Sequence, residues 1–248
     1  YIAQDLPAMK EESFVNNIGN YTSSLEQELS MVKFPNSQMK MLSTDWNSVA
    51  KTIYEYDDFG PELNKTGYFE DDLKVLLAGV KTPDEKILII LNHVKSNVKW
   101  NKYYSYWCEK GVRKAYQEKS GNVAEINLML TAMLRYAGLT ANPVLVSTRD
   151  NGISLFPNRT AYNYVIAAVE TETGNILLDA TDKFSLPNVL PMRALNWKGR
   201  LIRKDGSSDE VELMPEKISS DIVFMSYSID ADGKITGKAK RHCSDYNA

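Results

Sequence analysis

The fold is decided by residues 120–139, which read SGNVAEINLMLTAMLRYAGL. Apolar side chains recur along this stretch at helical spacing, at Ile126, Leu130, Met133, Leu134 and Ala137. Gly138 follows the last apolar position, where glycine commonly ends a helix. The pattern predicts a buried amphipathic helix over residues 121–137.

Three shorter blocks follow this helix along the chain. Residues 140–149 read TANPVLVSTR, residues 161–166 read AYNYVI, and residues 177–181 read LLDAT. Their β-branched and aromatic residues predict strands over 141–148, 161–169 and 176–180, with a hairpin turn at Thr173-Gly174. Helices followed by an antiparallel sheet indicate an α+β fold.

Together the four blocks resemble, in the same order, the core motifs of the transglutaminase-like superfamily, and the resemblance covers residues 84–184. The resemblance implies a papain-like fold, with a nucleophilic cysteine after a glycine at the start of the buried helix. It also implies a base histidine on one strand and an orienting aspartate on the next. Carried over to this chain, these positions are Val123, Tyr164 and Asp179.

The implied catalytic triad is therefore degenerate, because only its acid is present. Valine has no nucleophilic atom, and a tyrosine with a pKa near ~10 is a poor general base. The adjacent positions offer no better pair: Asn122, Ala124, Glu125 and Asn163. We therefore expect no catalysis and interpret the chain as a pseudoenzyme. The alternative is that Val123 and Tyr164 are ordinary core residues of an unrelated α+β domain.

The remaining acid needs a hydrogen-bond partner. A phenol O–H is a donor, so we predict that Tyr164 donates to Asp179 or to a neighbouring backbone carbonyl. If the longer tyrosine overshoots, Tyr164 plugs the cleft, and Asp179 pairs with a backbone N–H or a cation instead.

A second candidate nucleophile stands in residues 103–108, which read YYSYWC. Cys108 precedes a predicted short helix over 112–119, and a thiol ahead of a helix can have a lowered pKa. The alternative function is thus an active cysteine-dependent amidase, protease or transglutaminase that uses Cys108 with His93 or His242. An incidental, packed cysteine is the competing interpretation.

The same aromatic loop either binds a ligand or fills the old cleft. Aromatic faces suit sugar rings and peptide side chains, so a peptide or glycan is the expected partner. The candidate ligand-binding residues are Tyr104, Tyr106, Trp107, Asn122, Asn163 and Tyr164.

The rest of the chain predicts three regions. Residues 1–42 form the tail of a preceding β-rich domain and a linker, with alternation over 21–34 predicting a strand. The core spans 43–190, with helices starting after Thr44 or Asp45, covering 67–78, and starting after Thr82. Residues 191–248 form a linker and the first hairpin of a C-terminal β-rich domain, over 220–229 and 234–241.

This layout resembles bacterial secreted or envelope proteins, in which β-rich domains flank a transglutaminase-like core. The resemblance implies a periplasmic or extracellular location and flanking domains as partners. The first residues carry no signal-peptide pattern, which leaves the compartment undecided.

Composition excludes several function classes. The 248 residues are 43% hydrophobic and 25% charged, as in globular proteins, and the net charge is -3. No basic stripe indicates a nucleic-acid partner, and no apolar run is long enough to span a bilayer. Two cysteines and two histidines, without metal-ligand spacing, predict neither a metal nor another cofactor.

Overall fold

The computed structural model of the protein describes residues 4–5, 7–10, 12–23, 25, 31–41 and 45–247. The chain divides into two compact units, Tyr1–Met214 and Pro215–Ala248. Within the described residues, all α-helices and the largest sheet belong to the first unit.

Five α-helices occur in the described residues: α1 (Trp46–Tyr54), α2 (Glu70–Leu76), α3 (Pro83–Asn97), α4 (Val112–Glu118) and α5 (Val123–Tyr136). Side chains cap three of them, namely Asp45 at α1, Thr82 at α3 and Asn122 at α5. At α3 and α5 a glutamate three residues later completes a capping box. Of the two expected caps at α1, Asp45 is the one used.

The strands of the described residues are β1 (Met31–Val32), β2 (Lys40–Met41), β3 (Lys99–Trp100), β4 (Ser120–Gly121), β5 (Ala141–Val146), β6 (Tyr164–Thr171), β7 (Gly174–Leu178), β8 (Lys198–Ile202), β9 (Ser208–Glu212), β10 (Asp221–Ile229) and β11 (Ile235–Cys243). Five of them form an antiparallel sheet in the order β7-β6-β5-β8-β9. The short strands β3 and β4 pair in parallel just before α5. The α+β prediction is confirmed.

Helix α5 lies at the centre of the first unit and packs on β5 and β6. Every side chain from Val123 to Leu134 is buried, including Glu125, Asn127 and Thr131. The sequence predicted one buried apolar face, whereas all sides of the helix are buried over these three turns. Its buried polar groups need hydrogen-bond partners inside the protein.

The predicted strand over 21–34 is wrong where the structure describes it. Ile18–Tyr21 form a 3-10 helix, and only Met31–Val32 at the far end lie in a strand. Residues 24 and 26–30 lie outside the described residues. The alternating side chains that suggested a strand are exposed at Tyr21, Leu25 and Met31, so no buried face selects that register.

Two strands absent from the sequence prediction, β8 and β9, extend the main sheet beyond β5. Their register places Val144 of β5 opposite Leu201 of β8. The compact unit that contains these two strands ends at Met214. The helix predicted over 67–78 is shorter, at Glu70–Leu76, and α5 starts two residues later than predicted because Asn122 caps it.

The second unit contains the predicted hairpin. Strands β10 and β11 pair from Asp221↔Cys243 to Ile229↔Ile235. Their turn contains Gly233 at a φ of 79°, a conformation that glycine adopts without steric cost.

Candidate functional site

The structure brings the three triad positions to neighbouring elements. Val123 is the first residue of α5, Tyr164 is the first residue of β6, and Asp179 follows the end of β7. Strands β6 and β7 pair antiparallel, and α5 packs on β6. The four sequence blocks predicted this arrangement of one helix start facing two strands.

Asp179 is fully buried and accepts a hydrogen bond from Tyr164, which is also fully buried. The Tyr164 hydroxyl lies 2.7 Å from Asp179 Oδ2. The predicted tyrosine–aspartate bond is confirmed. Thr181 adds two donors to Asp179 Oδ1, its amide at 2.9 Å and its hydroxyl at 2.7 Å.

Asn127, one turn beyond Val123, joins α5 to both strands. Its Nδ2 donates to the Val165 carbonyl at 2.9 Å and to Asp179 Oδ1 at 3.0 Å. Its Oδ1 accepts from the Ala180 amide at 2.9 Å. The sequence motifs assign Asn127 no role, although an asparagine among apolar helix positions is a signal for a buried polar contact.

Arg193 completes the network from a 3-10 turn at Met192–Ala194. Its Nε donates to the Tyr164 hydroxyl at 3.1 Å, and its Nη2 donates to the Thr181 hydroxyl at 2.7 Å. The guanidinium also stacks over Trp100, 4.4 Å from the ring centroid, and its side chain is only 18% exposed. A loop arginine carries no local signal for this contact, so the sequence alone does not predict it.

The environment keeps Tyr164 protonated. Burial, and then the neighbouring Asp179 charge, raise the pKa of the Tyr164 phenol well above its ordinary value. A phenol held in this way donates a hydrogen bond and does not accept a proton from a nucleophile. The arrangement is therefore suited to holding the strands together.

The start of α5 is occupied by contacts from the preceding loop. The Val123 amide donates to the Tyr103 carbonyl at 3.4 Å. The Asn122 side chain caps the helix and donates to the Trp107 carbonyl at 3.0 Å. Glu125 accepts from the Lys110 amide at 2.7 Å. These bonds fix the aromatic loop against the helix N-terminus.

Cys108 lies in an environment that disfavours its thiolate. The residue is 5% exposed. Burial, and then the charges of Glu62 and Glu125, raise the pKa of its thiol well above the ordinary value. Both cysteines are free. A raised pKa is the opposite of what a nucleophilic thiol requires.

Neither histidine is hydrogen-bonded to Cys108 in the part of the chain that the structure describes. His93 Nε2 lies 3.2 Å from the Tyr116 hydroxyl, which donates to Asp72, and its Nδ1 faces Asn97. Burial lowers the pKa of His93. His242 lies on β11 in the second unit.

The six candidate ligand residues differ in accessibility. Tyr104 and Trp107 are 38% and 41% exposed. Tyr106, Asn122 and Tyr164 are buried, while Asn163 is half-buried and bonds through its side chain to Thr148. Tyr104 also contacts Tyr164, with ring centroids 5.8 Å apart. Of the six candidates, Tyr104 and Trp107 are therefore the two that are most accessible to a ligand.

Neither a metal-binding cluster nor a membrane-spanning helix is found among the described residues. Within the described ranges, no group of three or more His, Cys, Asp or Glu side chains is placed to bind a metal ion. Across the same residues, no helix has the length and hydrophobicity needed to cross a membrane.

Helix α5 begins at Val123 and packs on β6, and the paired strands β6 and β7 bring Tyr164 and Asp179 into hydrogen-bond contact. The model of the transglutaminase-like superfamily matches residues 73–180, which run from α2 to just beyond β7. This match overlaps residues 84–184, over which the four blocks resemble the same superfamily, and it covers less than half of the chain. No curated protein matches the chain significantly.

Two solved structures are similar to parts of the chain. A proposed protease from Parabacteroides distasonis is 15% identical with a TM-score of 0.49, over 77% of this chain and 36% of that protein. A proposed cysteine protease from Cytophaga hutchinsonii is 11% identical with a TM-score of 0.38, over 79% of this chain and 59% of that protein. This chain therefore matches less than two thirds of either protein.

Proposed function

We propose that this chain is a non-catalytic transglutaminase-like module, with a structural or a peptide- or glycan-binding role at the bacterial cell envelope. The observation that carries the proposal is the buried network of Tyr164, Asp179, Thr181 and Arg193. At the position where the resemblance implies a base, this chain has a protonated donor that holds two strands together.

The helix N-terminus supports the same proposal. In cysteine enzymes of this kind, the helix dipole and free amides lower the pKa of a thiol. Here the first helical residue is Val123, whose amide bonds to Tyr103. The helix N-terminus therefore lowers no side-chain pKa at this position, because valine has no ionisable atom.

The alternative, an enzyme that uses Cys108, has less support. A nucleophilic cysteine needs a lowered pKa and a base within hydrogen-bond reach. Burial and nearby carboxylates raise the pKa of Cys108, and the described partners of His93 are Tyr116 and Asn97.

The envelope location rests on the resemblance to bacterial multidomain proteins with β-rich flanking domains. Fractionation of the host cell, followed by detection of the native protein, tests it. Recovery in the cytoplasm would contradict this part of the proposal and leave the loss of catalysis unaffected.

The catalytic part is tested by amine-incorporation and peptide-hydrolysis assays with the wild-type chain. We expect no turnover above a heat-denatured control. Reproducible turnover that Cys108→Ala abolishes and Cys243→Ala preserves would overturn the proposal. The second variant is the matched control, because it removes the other free thiol.

A further inference from the structure

An open pocket of about 400 Å³ lies beside the aromatic loop and is lined by Tyr56, Asp57, Asp58, Tyr106 and Trp107. Its volume is within the range of small-ligand sites, about 300–1,000 Å³. Three lining residues are aromatic and two are acidic. None of them is a triad position or a member of the buried network.

The aromatic walls are held in place before any ligand arrives. The rings of Tyr106 and Trp107 meet edge to face, with centroids 4.7 Å apart and an interplanar angle of 88°. The Tyr106 hydroxyl donates to the Arg159 carbonyl at 3.0 Å, and Arg159 Nη1 donates to the Tyr56 hydroxyl at 3.0 Å. Two perpendicular rings thus form a rigid corner, and Trp107 is 41% exposed to solvent.

The two aspartates of the pocket form no ion pair within the described residues. Arg159 bonds to a tyrosine hydroxyl instead. Burial, and then the charges of Asp57 and Glu62, raise the pKa of the Asp58 carboxyl. A cation placed here would stabilise the Asp58 carboxylate.

We propose that this pocket binds the ammonium or guanidinium group of a lysine or arginine side chain from a peptide. The inference rests on the binding role proposed above and names its ligand class. Aromatic faces attract organic cations through their negative π surface, most strongly at tryptophan. Asp57 and Asp58 add a negative charge, which attracts the cation in addition to the aromatic rings.

A neutral glycan fits these observations less well. A sugar ring can stack on Trp107, but it brings no charge to offset Asp57 and Asp58 in a partly buried setting. A metal ion fits less well too, because three of the five lining residues are aromatic and none of these offers an oxygen that hard cations prefer.

The test uses the whole 248-residue chain, labelled with ¹⁵N and titrated by NMR. The probes are the N-acetyl methylamides of lysine and arginine, with the norleucine derivative as the neutral match. We expect the Trp107 indole and the amides of residues 56–58 to shift saturably with both cations and to stay unchanged with norleucine. Binding should weaken several-fold between low and high salt, since the charges are partly exposed.

Substitutions locate the site. Asp58→Asn should weaken lysine binding about tenfold, because one of two carboxylates near the cation is lost. Asp57 is exposed, so Asp57→Lys should keep the wild-type melting temperature and abolish binding. The control is the double variant Glu172→Gln/Asp232→Asn, which removes two charges at other exposed positions and should bind as wild type does.

Equal shifts with norleucine, or unchanged lysine binding in the folded Asp57→Lys variant, would overturn the proposal. Tighter binding of chito-oligosaccharides than of either cation would also overturn it, in favour of a glycan site. The amine-incorporation and peptide-hydrolysis assays test the proposed lack of catalysis independently of this binding experiment. Failure of one proposal is thus distinguishable from failure of the other.

Discussion

Removal of the Tyr164 hydroxyl tests whether the positions that the family resemblance assigns to a catalytic pair hold the fold together in this chain. The Tyr164→Phe variant keeps the ring and deletes one oxygen. In the described residues, the Tyr164 hydroxyl is the only donor to Asp179 Oδ2, whereas Oδ1 receives bonds from Asn127 and Thr181. The variant therefore leaves one buried carboxylate oxygen without a partner.

The size of the effect follows from these contacts. A buried group left without its hydrogen bond costs about 1–3 kcal/mol, and the upper half applies when the acceptor is charged. Arg193 Nε loses its acceptor at the same time. We expect a loss of about 2–3 kcal/mol in the free energy of unfolding, because both partners are affected.

The assay is urea unfolding followed by circular dichroism, with the slope of the transition compared between variants. Tyr103→Phe is the matched control, because Tyr103 is 52% exposed and its hydroxyl makes no hydrogen bond to the described residues. This control should change stability by less than about 0.5 kcal/mol.

A Tyr164→Phe variant as stable as the wild type would refute the structural role of the hydroxyl. It would mean that Tyr164 contributes through packing alone, as a plug would. That result would leave the proposed lack of catalysis untouched, because phenylalanine is no better a base than tyrosine.

Three further predictions follow from the buried polar groups. Asn127→Ala should lose about 3 kcal/mol or more, because three buried hydrogen bonds disappear, and chemical unfolding measures this loss. Burial lowers the pKa of His93 in the folded state, so the unfolded state binds more protons as the pH falls below ~6.5. The free energy of unfolding should therefore decrease as the pH drops below that value. His93→Gln should make the melting temperature less dependent on pH in this range. Iodoacetamide at neutral pH should label Cys108 more slowly than Cys243, as read by mass spectrometry, because burial raises the pKa of Cys108; faster labelling of Cys108 would support the enzyme alternative.

Local patterns sufficed for the elements that build the core. The cap at Thr82, the helix of the deciding stretch and the hairpin near Thr173-Gly174 all follow from short-range chemistry, although the helix starts two residues later than predicted and the turn residues are Glu172 and Thr173. The hydrogen bond from Tyr164 to Asp179 was predictable, because a tyrosine hydroxyl can donate a hydrogen bond just as the histidine implied at this position does. In each case the deciding contact lies within one element or between two motif blocks.

The parts that were missed depend on contacts between distant segments. Strand β9 reads SDEVE, a polar edge strand without an apolar run, and only its pairing with β8 reveals it. Arg193 lies in a turn after Pro191, and nothing near it predicts a contact with Tyr164, 29 residues earlier. The strand predicted over 21–34 is the opposite error: Tyr21, Leu25 and Met31 are exposed, and an alternating pattern without a buried face does not specify a strand.

The Arg193 guanidinium constrains how this sequence could acquire a cysteine–histidine pair at positions 123 and 164. Tyr164→His alone would remove the acceptor of Arg193 Nε and place a second potential cation beside the guanidinium. Val123→Cys alone would add a thiol without a base. Each single step is therefore unfavourable or silent, and a functional pair requires both substitutions. A path of successive point mutations would pass through the less stable Tyr164→His step, so selection for stability favours Tyr164.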